Sequence, residues 1–200
     1  MITLEKIKSA YEIAMEKAQK ITENTSEGDY LEVREEIKPV LAKFYREDID
    51  AEGLWQELKG KDEVYIRESQ IMITDSLGLR TAEAEFKKRK EGILALESLK
   101  KNPRSSAIEQ FLTKVRKLQK KHSLERERIE QQLEREMENN SQMQMKPVQT
   151  EDGRTVMKLE AGIDKETRDR FNKAISEMEA RSSKQFGWLL ENIKQNVKKT

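Results

Sequence analysis

Two runs of apolar residues at alternating three- and four-residue spacing, at 108–133 and 171–197, flank the dipeptide Asp152-Gly153. This spacing puts each run on one stripe of a helix, and a stripe that long must be covered by a partner helix. Ser105 or Ser106 can cap the first helix, predicted over 107–141 and about 50 Å long at 1.5 Å per residue. Its expected seam is Ile108, Phe111, Val115, Leu118, His122, Ile129 and Leu133. The second helix is predicted from after Asp164 to about Val197, with Phe171, Ile175, Ser182, Phe186, Leu189, Ile193 and Val197 on its seam and Met178 between. Facing pairs such as Leu133 with Phe171, or His122 with Ser182, have residue numbers adding to 304. A two-residue turn at 152–153 gives 305. Heptad periodicity would align the seams nearly as well at 297 or 311, so the turn selects the register.

Asp-Gly supplies the positive φ that a two-residue type I′ turn requires. Val148, Thr150, Thr155 and Val156 favour strand, and Pro147 belongs at an edge or a strand start because it cannot donate to a ladder. A small β-hairpin is therefore expected at about 143–160. Isolated two-stranded hairpins are marginal in water, so this one needs helix ends or a partner to pack on. Met143, Met145, Val148, Val156 and Met157 are the expected partner contacts, since methionine adapts to varied surfaces.

The first half reads as shorter helices. Thr3 can cap one reaching about Glu23, with Leu4, Ile7, Tyr11, Ala14, Ala18 and Ile21 on one face. Asp29 can cap the next, where Val33, Ile37, Val40, Leu41 and Phe44 continue a stripe and Pro39 predicts a kink or restart near Lys38. Asp50 opens a short segment closed by Gly60. Asp62 opens a helix stopped by Gly78 in a left-handed turn. The consecutive Ile71, Met72 and Ile73 imply burial on several sides, or a strand. Thr81 is the expected cap of a helix carrying Phe86, Ile93, Leu94, Leu96 and Leu99. Asn102-Pro103 then marks a domain boundary. The expected fold is all-α. An N-terminal multi-helix domain spans 1–102, and an antiparallel coiled-coil arm tipped by the β-hairpin spans 104–200.

Composition agrees with an elongated helical build. Charged residues make up 38% of the chain, against about 25% typically, and apolar residues only 39% when the eight glycines are counted. The net charge of +1 hides an asymmetry: residues 1–100 hold 17 basic and 22 acidic side chains, the remainder 22 and 16. With no cysteine there is no disulfide and no thiolate metal site. No apolar run nears the roughly 20 residues of a membrane span, and the first residues lack a signal peptide's apolar core. A soluble, cytoplasmic protein is expected.

LEKIKSAYEIAMEK at 4–17 and FKKRKEGILALESLKK at 86–101 resemble an uncharacterised bacterial family of highly charged helical proteins. In that family an IKSA-type opening helix precedes a KEGILAL-type helix and long Gln/Glu/Lys-rich helices. The resemblance implies an all-helical bacterial protein and carries no known activity.

Reaction chemistry is hard to find. The single histidine, His122, falls on the seam opposite Ser182, where it reads as a polar layer fixing register. A di-metal bundle site would need Glu-x-x-His repeats on facing helices, which one histidine cannot supply. There is no G-x-x-x-x-G-K-[ST] loop. The basic run Lys114, Arg116, Lys117, Lys120 and Lys121 is the candidate phosphate contact, although no stacking aromatics interleave it. The expectation is a non-enzymatic scaffold or adaptor acting through another protein or a homodimer, with no cofactor, metal or membrane. The alternatives are an RNA- or ribosome-associated factor using 114–121, or a holdase-like chaperone.

Overall fold

The computed structural model describes residues 31–139, 143–149, 155–161 and 165–199, with the backbone alone in the two strands. The helix expected at 3–23 and the Asp29 cap lie outside the described residues. Helices carry the fold: α1 (residues 31–45), α2 (Ala51–Leu58), α3 (Glu63–Asp75), α4 (Glu83–Glu97), α5 (Ser105–Asn139) and α6 (Lys165–Lys198). Between the last two, β1 (Met143–Gln149) pairs antiparallel with β2 (Thr155–Ala161). No helix among the described residues is long and apolar enough to cross a membrane.

Local chemistry explains most helix ends. Asp50 accepts the Gly53 N–H at 2.8 Å and caps α2, and Gly60 follows with φ 82°. Asp62 stands at the α3 N-cap without a side-chain cap bond. Two turn expectations are corrected. Gly78 lacks a positive φ, and Thr81 does not cap α4; its hydroxyl oxygen instead accepts the Gly78 N–H at 2.8 Å, bracing the turn between α3 and α4. The helix α1 runs through Pro39 without a restart.

The chain forms two compact units, and their division does not follow the Asn102-Pro103 break. Among the described residues, one comprises 31–77, 87–109 and 194–199; the other comprises 78–86 and those within 110–193. In the first, Ile37, Leu41, Phe44, Leu54, Leu58, Ile66, Ile73, Ile93, Leu96 and Ile108 are buried. Helix α3 is buried on several sides, as its Ile-Met-Ile run suggested, with Ser69, Gln70 and Thr74 fully enclosed. Ser69 and Thr74 satisfy their hydroxyls on the carbonyls four residues back, each at 2.8 Å. Gly92 lets α4 approach the Phe44 ring, since a Cβ there would lie 2.7 Å from Phe44 Cζ.

A buried polar knot fastens this unit. Glu97 and Lys100, with side chains 0% and 1% exposed, pair at 2.8 Å. Glu97 also accepts the Arg104 backbone N–H at 2.7 Å and the Gln70 amide at 2.8 Å, while Lys100 donates to the Val197 carbonyl at 2.8 Å. One carboxylate thus holds α3, α4 and the start of α5, and its lysine holds the end of α6.

In the second unit, charge-assisted bonds join α5 to α6: Arg126 with Glu179 at 3.4 Å, Arg181 with Glu125, and Arg170 with Glu136. Their residue numbers add to 305 and 306, close to the expected antiparallel register. The strand register adds to 304, from Met143 opposite Ala161 to Gln149 opposite Thr155. The expected two-residue turn at 152–153 lies outside the described residues. The seam of α5 is also corrected. Leu112, Val115, Gln119 and His122 are buried, whereas Phe111 and Leu118 lie half-buried beside it. A 4-3-4-3 spacing from Ile108 selects Leu112 and Gln119, and reading only the apolar residues passed over a buried glutamine.

Candidate functional site

Displacing Phe111 and Leu118 from the seam puts them on one flank of α5, with Lys114 between them. On α6, Arg181, Lys184 and Trp188 recur at three- and four-residue spacing and so share a face. The two flanks enclose a cleft of about 780 Å³ lined by Lys114, Leu118, Arg181, Lys184, Trp188 and Leu189. Trp188 is 60% exposed, and its ring meets Phe111 edge-on with centroids 6.2 Å apart. Lys114 Nζ stands 4.9 Å from the Phe111 centroid. Gln185 also lines the cleft, so its rim carries three cations and no acid. An apolar floor with a basic rim suits an anionic partner that inserts an apolar side chain.

The basic surface continues along α5. Lys117, Lys120, Lys121, Leu124 and Arg128 line an adjoining cleft that shares Arg181. Leu124 is 56% exposed there. Arg181 bonds Glu125, the one acid of that cleft. The sequence-predicted phosphate contacts therefore divide. Lys114, Lys117, Lys120 and Lys121 face these clefts, and Arg116 does not. Arg116 pairs with Glu83 at 2.8 Å and lies over the Phe86 ring, and Lys120 stands 4.0 Å from the same Glu83.

A third cleft, of about 580 Å³, lies where the 79–82 turn and the first residue of α4 meet α5. Arg80, Glu83, Arg116, Lys120, His122 and Arg126 supply its charged and titratable lining. Gln119 donates to the Gly78 carbonyl at 2.7 Å and fixes the turn against α5. Among the described residues, no cluster of three or more His, Asp or Glu is placed to hold a metal ion. His122 and Ser182 are both buried. The backbone around Met143, Met145, Val148, Val156 and Met157 is paired, but their side chains lie outside the described set.

Trp188, Arg181 and Lys184 were missed as site residues. The available signal was a tryptophan one position before seam residue Leu189, with two cations on its own face. The basic run on α5 carries no aromatic of its own; α6 brings Trp188 to it.

The model of a family described as a family of unknown function, DUF6657, matches residues 52–199. No curated protein and no solved structure matches the chain.

Proposed function

The chain belongs to the DUF6657 family, and we propose that it is a non-enzymatic binding protein that docks an acidic segment of a partner protein in the cleft around Trp188. The carrying observation is the exposed Trp188 beside an apolar floor, rimmed by Lys114, Arg181 and Lys184. Tryptophan ringed by charge is a common centre of binding energy once a partner excludes water. The acid-free rim selects a partner rich in Asp or Glu, and the floor selects one with an apolar anchor. In this reading α5 and α6 act as a coiled-coil arm. The β1–β2 ribbon is its tip and a second contact, through Met143, Met145, Val148, Val156 and Met157.

A second reading has its own support. Lys117, Lys121 and Arg128 have no ion-pair partner among the described residues, and they adjoin Trp188 through Arg181. Unpaired cations beside an exposed aromatic ring also suit single-stranded RNA.

One titration separates the two. In a Trp55→Phe chain, Trp188 is the sole indole emitter. Glu-rich dodecapeptides with a central Leu-Leu pair are expected to shift its emission saturably. The same peptides with Ser-Ser should bind at least about tenfold more weakly, a step of about 1.4 kcal/mol. Equal response to both peptides sinks the docking reading. Stronger binding of an oligouridylate, falling steeply with salt, moves the assignment to RNA.

A further inference from the structure

We propose that the cleft between the 79–82 turn and α5 is a binding site for a small phosphate-bearing anion, with His122 at its base. His122 is 3% exposed, lines this cleft, and makes no hydrogen bond among the described residues. Buried polar groups are otherwise partnered almost throughout folded proteins. Gln119, one turn earlier on the same seam, follows that rule by binding the Gly78 carbonyl. The His122 ring has no such protein partner among the described residues, and it borders an open cleft rather than packed apolar side chains; the fully enclosed unpartnered atoms, Arg67 Nε and Gln70 Oε1, lie elsewhere, in the first unit.

The lining selects the ligand. Arg80, Arg116, Lys120 and Arg126 are cations, and Glu83 is the sole carboxylate among the lining residues. Three guanidinium groups present forked donors that match phosphate oxygens. The α4 N-terminus adds the positive end of a 15-residue helix. Every one of these cations currently meets a glutamate of the chain. Arg80 and Arg126 share Glu179, Arg126 also binds Glu130, and Arg116 and Lys120 share Glu83. Glu83 is 74% exposed at the cleft mouth, so its carboxylate can exchange with solvent-borne anions at little cost. It stands in for the ligand: its oxygens meet the cations that a phosphate group would engage. An entering phosphate displaces Glu83 from Arg116 and Lys120 and gives the His122 ring a partner.

The chain has one histidine, so its imidazole Hε1 resonance is a unique reporter. Titrating pyrophosphate into the full chain is expected to move that resonance saturably. Arg116→Gln should weaken the effect at least about tenfold, and Glu83→Gln should tighten it by several fold, with helicity unchanged in both. Citrate at equal charge should act more weakly. The proposal is overturned if pyrophosphate leaves the resonance in place. It is equally overturned if Glu83→Gln fails to tighten binding, or if citrate matches pyrophosphate. Glu83 is exposed, so its variant keeps the test valid should Arg116→Gln fold poorly.

Discussion

Buried polar groups in the two compact units are treated in different ways. In the first, Glu97, Lys100 and the Gln70 amide nitrogen are enclosed, and each is bound to a defined partner on another element. In the second, His122 and Ser182 are mostly buried and make no hydrogen bond among the described residues, but their polar atoms are not among the fully enclosed ones. The first set recovers most of its desolvation cost inside the chain, although Gln70 Oε1 and Arg67 Nε are buried there without a partner. A satisfied network fixes the mutual placement of helices and leaves nothing for a ligand. An unsatisfied group beside a cleft is placed for one. Access to a cleft, rather than the missing partner alone, thus separates candidate function from architecture in this molecule, although neither cluster looks chemical in the sequence.

The comparison breaks most visibly at Glu97. Replacing it with alanine leaves Lys100 enclosed without its counter-ion and strips Gln70 and the Arg104 N–H of their acceptor. Removing one partner of a buried pair costs about 3–5 kcal/mol. Urea unfolding of Glu97→Ala should show a loss of that size. The double variant Glu97→Met, Lys100→Met should lose less, because no buried charge is stranded. A single variant as stable as the parent means the knot does not fasten the helices. A smaller effect is expected at Gly92, where the same unit is closed by packing. The added methyl of Gly92→Ala meets the Phe44 ring at 2.7 and 3.2 Å and Leu54 at 3.4 Å. Overpacking of this kind costs about 1–3 kcal/mol, read as a lowered Tm. Pairing it with Phe44→Leu should recover part of the loss if the clash is the cause.

How much of this was legible in the sequence follows the physics of each feature. Apolar periodicity located the boundaries of α5 and α6 to within two residues, because a long stripe must be covered. Asp50 and Gly60 marked the ends of α2 through their own backbone chemistry. The α5 seam was misread where a polar residue is buried: Gln119 belongs to the stripe only because the Gly78 carbonyl receives its amide. The Thr81 cap failed for a related reason, since its hydroxyl had a nearer donor in Gly78. Pairings between distant residues, such as Glu97 with Gln70 or Trp188 with Phe111, left no local signature. The Trp188 cleft is built from two helix flanks far apart in the chain, so the basic run alone carried half of it.

The smallest effect is the most informative about the second unit. His122→Leu puts an apolar side chain of similar size at a buried seam position and removes an imidazole that has no partner among the described residues. A fully enclosed unsatisfied group costs about 1–3 kcal/mol; the His122 ring borders a cleft, so the variant should be more stable than the parent by less than about 1 kcal/mol. The opposite sign is expected of any apolar replacement at Gln119, whose amide is bound. Thermal unfolding with and without pyrophosphate joins this prediction to the anion site. The parent should gain stability on adding the anion, and His122→Leu should gain less. A variant that is both destabilised and stabilised normally by pyrophosphate makes His122 a packing residue. His122 would then be the polar layer that its seam position first suggested, and the contrast between the two units would fall.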